Sequence, residues 1–144
     1  MKLESSAFKQ GQKIPVKYTC EGENVSPPLT IINIPPRTVS LALILDDPDA
    51  PHGTFDHWIA WNILPAQTVI GEGASLPVLG LNGYRETNYK GPCPPAGKLH
   101  HYHFRVYALS KKLEIPAGST KQQLELAIQG HILEKAELVG TYQR

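Results

Sequence analysis

Thirteen prolines and 12 glycines, most of them within the first 118 residues, set the narrowest limit on what this chain can become. Each proline removes a backbone donor and fixes φ near −65°, so that stretch has little room for long helices. What remains is short extended segments between turns, and these predict an all-β body. Strands are expected over Leu29 to Ile34, Ser40 to Leu45, His57 to Leu64 and Tyr102 to Leu109, divided by turn clusters such as Asn33-Ile34-Pro35-Pro36 and Pro51-His52-Gly53-Thr54. One helix is expected late in the chain. Ser119 or Thr120 can cap a run that places Leu124, Ala127 and Ile128 at helical spacing, and Gly130 can end it. Beyond it, Ile132 to Tyr142 reads as a short helix and then a strand over Leu138-Val139-Gly140-Thr141-Tyr142. The stretch from Gly71 to Gly91, with five glycines, reads as one long surface loop of the kind that often carries function.

A chain of 144 residues makes one domain, spanning residues 1–144, and can bury a core without disulfides or metals. Its 14 Lys+Arg and 13 Asp+Glu give a formal net charge of +1, and the basic residues are scattered, which argues against a nucleic-acid footprint. No apolar run is long enough to span a membrane, so no stable membrane insertion is expected. The sequence Met1-Lys2-Leu3-Glu4-Ser5-Ser6 lacks the apolar core of a signal peptide, and the expected compartment is the cytoplasm. In that compartment Cys20 and Cys93, which lack CxxC spacing, are expected as free thiols.

The chemistry-bearing residues gather at three places. Asp47-Pro48-Asp49-Ala50-Pro51 closes an apolar run with two acids in a stiff turn. His57 follows across a short loop, where a tight hairpin would set it beside Asp47 or Asp49, orient its ring and favour its charged form. By alternation it shares the face of Ile59, Trp61 and Ile63. Gly91-Pro92-Cys93-Pro94-Pro95-Ala96-Gly97 forms a rigid apolar wall, and His100-His101-Tyr102-His103-Phe104 comes next. Period 2 puts His100, Tyr102 and Phe104 on one face and His101 and His103 on the other. Asp47, His57, His100 and Tyr102 beside the proline wall would line a small cavity with hydrogen-bond donors, suited to a phosphate or carboxylate.

A rival reading uses the His-x-His pair. His101 and His103 with Asp47 or Asp49 would make a facial metal site, as in a jelly-roll enzyme. Nucleophilic hydrolysis finds no support, because there is no G-x-S-x-G elbow and the prolines beside Cys93 deny it a helix N-terminus. No Walker-type or dinucleotide glycine loop is present, and no cofactor is implied.

Taken in order, Tyr18-Thr19-Cys20-Glu21-Gly22-Glu23-Asn24-Val25-Ser26-Pro27-Pro28-Leu29, Asp46-Asp47-Pro48-Asp49-Ala50-Pro51, Phe55-Asp56-His57-Trp58, Gly91-Pro92-Cys93-Pro94-Pro95, His100-His101-Tyr102 and Gly140-Thr141-Tyr142-Gln143-Arg144 run nearly end to end. By these motifs the chain resembles the phosphatidylethanolamine-binding proteins, the family of the Raf kinase inhibitor protein, and above all its short bacterial and archaeal members. The resemblance implies a sandwich of two antiparallel sheets with few helices. It also implies an anion pocket formed by Asp47, His57, Pro94, Pro95, His100 and Tyr102, with Asp49 supporting the turn. The expected protein is a non-catalytic binder of a small anionic or phosphorylated group, such as a phospholipid headgroup. Regulation of a kinase or protease, and a homodimer, belong to the same expectation. This chain departs from the family pattern at His101, where arginine is common, and with Gln143-Arg144 as its last residues the C-terminal helix that borders the pocket in mammalian members is not expected.

Overall fold

The apolar run that ends in two acids is a strand, β3 (Ser40–Asp47), and it is buried along its whole length. Burial on both faces means it must lie in the middle of a covered sheet, and the rest of the fold is arranged around it. The computed structural model describes residues 1–144. The other elements in chain order are β1 (Lys2–Glu4), a 3-10 turn at Val16–Tyr18, β2 (Leu29–Ile32), β4 (Phe55–Ile63), β5 (Val69–Ile70), β6 (Val78–Leu79), β7 (His100–Leu109), α1 (Lys121–Ile128) and β8 (Ile132–Tyr142). They form two antiparallel sheets, one ordered β1-β2-β5 and the other β6-β4-β3-β7-β8. The mainly β sandwich that the sequence predicts is the observed architecture.

Between the sheets, Leu41, Leu43 and Leu45 of β3 and Phe104 and Val106 of β7 meet Leu3, Leu29 and Ile31 of the smaller sheet. The opposite face of β3 carries Ala42 and Ile44, which pack with Ile59, Trp61 and Leu109 beneath Leu124 and Ile128 of α1. That helix begins as expected. Thr120 Oγ1 accepts from the Gln123 backbone, and the Gln123 side chain accepts in turn from the Thr120 backbone.

Four expectations need correction. Residues 132–142 form a single strand, β8, with no helix, because every residue from Glu134 to Tyr142 finds a register partner on β7. The chain from 71 to 91 is no simple surface loop, since it carries β6 and buries Leu76 and Asn82. Strand β4 does not alternate evenly. Leu45 pairs with Trp58 but Asp46 pairs with Asp56, so His57 is the extra residue of a β-bulge. A second irregularity spans Ala60 to Ile63, where Asn62 takes a left-handed φ of 55°. His57 and Ile63 therefore face the inter-sheet side, whereas Ile59 and Trp61 turn to the helix side.

The fourth correction concerns the cysteines. Cys20 and Cys93 are not free thiols but a disulfide, with Cα atoms 5.4 Å apart. The Cys20 backbone also donates to the Pro92 carbonyl at 3.1 Å, so the fold itself delivers the two residues to each other across 73 positions of sequence. Composition and spacing carry no trace of that proximity.

Candidate functional site

The site lies where three adjacent strands end together. β3 stops at Asp47, β4 starts at Phe55, and β7 starts at His100, which extends past the last β3–β7 pair, Asp46 with His103. The face of β7 that holds His100 and Tyr102 is the inter-sheet face, as period 2 predicts, and His101 and His103 point the other way. All six residues expected at the pocket, Asp47, His57, Pro94, Pro95, His100 and Tyr102, line one cavity of about 240 Å³. That is smaller than the ~300–1,000 Å³ typical of drug-sized sites and suits a small group.

Hydrogen bonds fix the polar floor. Asp47 Oδ1 accepts from the Asp49 backbone at 2.8 Å, and its Oδ2 receives His100 Nδ1 at 2.6 Å. Both oxygens are thus engaged. The expected pairing of Asp47 with His57 does not occur; the acid's partner is His100. The bulge turns His57 Nδ1 instead to the Lys90 carbonyl, 2.7 Å away. A carbonyl only accepts, so Nδ1 carries the proton, and in the neutral ring Nε2 is left with a bare lone pair. Burial holds the His57 pKa below the ordinary imidazole value, against the opposing pull of the Lys90 bond and the Asp47 charge. The charged form expected from a neighbouring acid is therefore disfavoured.

Tyr102 lies between the two imidazoles, its ring centroid 5.4 Å from that of His57 and 6.4 Å from that of His100. Burial, reinforced by the Asp47 carboxylate, pushes its phenol far above the usual range, so it stays protonated. Its hydroxyl is buried and has no well-formed hydrogen bond. An unmade bond of this kind costs about 1–3 kcal/mol, and a ligand oxygen would recover it.

Asp49 plays the supporting part expected of it. Its Oδ2 accepts from the His101 backbone at 2.9 Å and meets His101 Nδ1 at 2.7 Å, which ties the acid turn to β7. The His101 bond holds the Asp49 carboxyl below its usual range. With His101 on Asp49 and His103 Nδ1 3.2 Å from Glu137, the two histidines serve separate acids. The donor set required by the metal reading is not assembled, and no group of three or more His, Cys, Asp or Glu is placed to hold an ion.

The sequence reading missed several lining residues. His52 and Thr54 belong to the loop after the acid turn, which reads only as a turn cluster. Phe55 and Tyr84 meet edge-on at 4.9 Å on another part of the wall. Asn82 presents Tyr84, accepting from the backbones of Tyr84 and Glu86. Cys93 also lines the cavity, and only its position beside Pro94 hints at that.

Compared with known proteins, residues 4–143 match the family model for phosphatidylethanolamine-binding protein. The chain belongs to this family. A UPF0098 protein of Pyrococcus horikoshii is 47% identical over 97% of this chain and 75% of its own length. A UPF0098 protein of Methanothermobacter thermautotrophicus is 43% identical over 100% of this chain and 99% of its own. Among solved structures, a phosphatidylethanolamine-binding protein homologue of Chlamydia trachomatis superimposes with a TM-score of 0.95 at 44% identity, covering 99% of this chain and 97% of that one. Escherichia coli YbcL, described as a new member of the mammalian family, gives a TM-score of 0.92 at 31% identity over 99% and 98% of the two chains. Family membership thus rests on sequence and fold together. No helix of the protein is long and apolar enough to cross a membrane.

Proposed function

We propose that this family member is a non-catalytic binding protein whose cavity takes a small anionic or phosphorylated group, such as a phosphate headgroup. The observation that carries the reading is the buried Tyr102 hydroxyl, which lies near the Asp47 carboxylate without a well-formed hydrogen bond and is set between two imidazoles whose Nδ1 atoms are already committed. Tyr102 can donate at once, and each histidine gains a second donor at Nε2 when it is charged. Asp47, the nearest carboxylate, is held by two structural bonds, to the Asp49 backbone and to His100, which suits an anchoring part in the cavity wall. Control of a kinase or protease would follow if the bound group belonged to a partner, and a cytoplasmic location is part of the same reading. The Cys20–Cys93 bond bears on that location, because a disulfide persists among cellular thiols only if it resists exchange or re-forms readily.

NMR shift titration with inorganic phosphate and with O-phosphoethanolamine tests the proposal. His100→Ala should weaken binding roughly tenfold to a hundredfold, as expected for a hydrogen bond to a charged group, while His101→Ala should do little. Equal losses in the two variants, or none in either, would overturn the site as drawn.

A further inference from the structure

The Cys20–Cys93 disulfide borders the anion cavity. Cys93 lines the cavity and is half-buried, while its partner Cys20 is exposed. Arg144 Nη1 lies 3.5 Å from Cys93 Sγ, so this sulfur faces a cation as well as the anion cavity. A nearby cation favours a thiolate, and the sulfur that better bears negative charge is the better leaving group. Residue exposure and leaving-group character both favour attack at Cys20 with charge departing on Cys93. Glu21, whose carboxylate is 3.9 Å from Arg144 Nε and accepts from Tyr142, also faces this cation and tempers it without removing it.

We propose that Cys20–Cys93 is a thiol-exchange site for a low-molecular-weight thiol, coupled to occupancy of the anion cavity. The thiolate of the small molecule bonds to Cys20 Sγ, the Cys20–Cys93 bond breaks, and the electron pair leaves on Cys93 Sγ. One disulfide replaces another, so no external oxidant or reductant is consumed. In the reverse step the Cys93 thiolate attacks Cys20 Sγ and expels the small thiolate. While the protein disulfide is intact the cavity wall is neutral at this position, and after exchange it carries a negative charge. An anion in the cavity is then repelled, and by linkage a bound anion favours the closed disulfide. The wall itself need not unfold, because other bonds hold it: the Cys20 backbone to Pro92, Gly91 to Asn24 Oδ1 at 2.7 Å, and Tyr89 to the Tyr18 carbonyl at 2.7 Å.

The coupling rests on the anion reading of the cavity, but the exchange chemistry can be read separately. Folded full-length protein incubated with mixtures of reduced and oxidised glutathione should gain one glutathionyl group on Cys20, as mapped by peptide mass spectrometry. Sulfate, titrated by NMR, should bind about fivefold or more weakly to the glutathionylated protein than to the disulfide form. Cys20→Ser, which leaves Cys93 beside Arg144, should bind sulfate more weakly than Cys93→Ser. Glutathione found on Cys93, or exchange only in denaturant, would overturn the assignment of the exchange site. Equal sulfate affinity in the two variants would overturn the charge coupling. If sulfate binds no form of the protein, the anion reading and the coupling fail together, and the Cys20 adduct stands or falls on its mass alone.

Discussion

His57 and His100 border one cavity, yet each spends its Nδ1 on a different kind of partner. His57 bonds a neutral carbonyl in a buried setting, and burial lowers its pKa. As pH falls below the ordinary imidazole value of about 6.5, the unfolded chain takes up this proton before the folded one. Stability therefore declines from there down to the lowered folded value and is unaffected by this ring at still lower pH. Asp49 acts in the same direction further down: its lowered carboxyl contributes stability that is lost as pH falls through its folded value. A bound anion works against the His57 trend by favouring the charged ring. In the free protein, the His57 ring signals should titrate below the ordinary range, and saturating sulfate should move that titration upward. Sulfate should also depend on pH more steeply than phosphate, because a protonated phosphate can donate to a neutral Nε2 and sulfate cannot. A His57 titration that sulfate leaves in place would remove this ring from the site.

At the scale of elements, the cavity depends on how closely the proline wall approaches the segment near Tyr18. A Cβ built on Gly91 would lie 1.9 Å from the Tyr18 carbonyl oxygen and 2.8 Å from Asn24 Oδ1, which accepts the Gly91 N–H. Gly91→Ala must push two backbones apart and should cost about 3 kcal/mol. Phosphate affinity should fall with it, since Cys93, Pro94 and Pro95 follow directly on the displaced strand of wall. Chemical denaturation with phosphate titration checks both, and unchanged affinity would show that the wall does not shape the site. The same scale shows what the sequence could reveal. The period-2 pattern placed His100 and Tyr102 on the correct face because β7 is regular there. It misplaced His57 because a bulge inserts one residue without changing composition, and the inserted residue is the histidine itself. The start of β8 misled for another reason. Leu133, Glu134, Lys135 and Ala136 are good helix formers, and pairing of Glu134, Lys135 and Ala136 with β7 draws the segment into a strand.

Over the whole molecule, the five-stranded sheet has two covered faces, and a polar seam runs along the edge of the second. Asp46 and Asp56 oppose each other on β3 and β4, a repulsive pair if left alone. Lys121, the first residue of α1 after its Thr120 cap, reaches both, at 3.1 and 2.8 Å, and Arg105 also bonds Asp46. Asp46→Ala would leave Arg105 partly buried without its main partner, and a loss of about 3 kcal/mol or more is expected on denaturation. The other long-range tie is the disulfide, which no reading of composition anticipates, because what brings Cys20 to Cys93 is the packing of the Val16–Tyr18 turn against the wall. Closing a loop over 73 positions corresponds to about 4 kcal/mol in the chain-entropy model, with measured values often lower. The hydrogen bonds that hold the wall do not depend on it, so Cys20→Ser/Cys93→Ser should still fold, with a stability loss of about 2–4 kcal/mol. Because this loss arises mainly in the unfolded ensemble, the double variant should keep the wild-type NMR shifts of Tyr89 and Gly91 in the folded state. If those shifts change as much as the stability does, the disulfide is shaping the native wall directly, and the hydrogen bonds drawn there are insufficient to hold it.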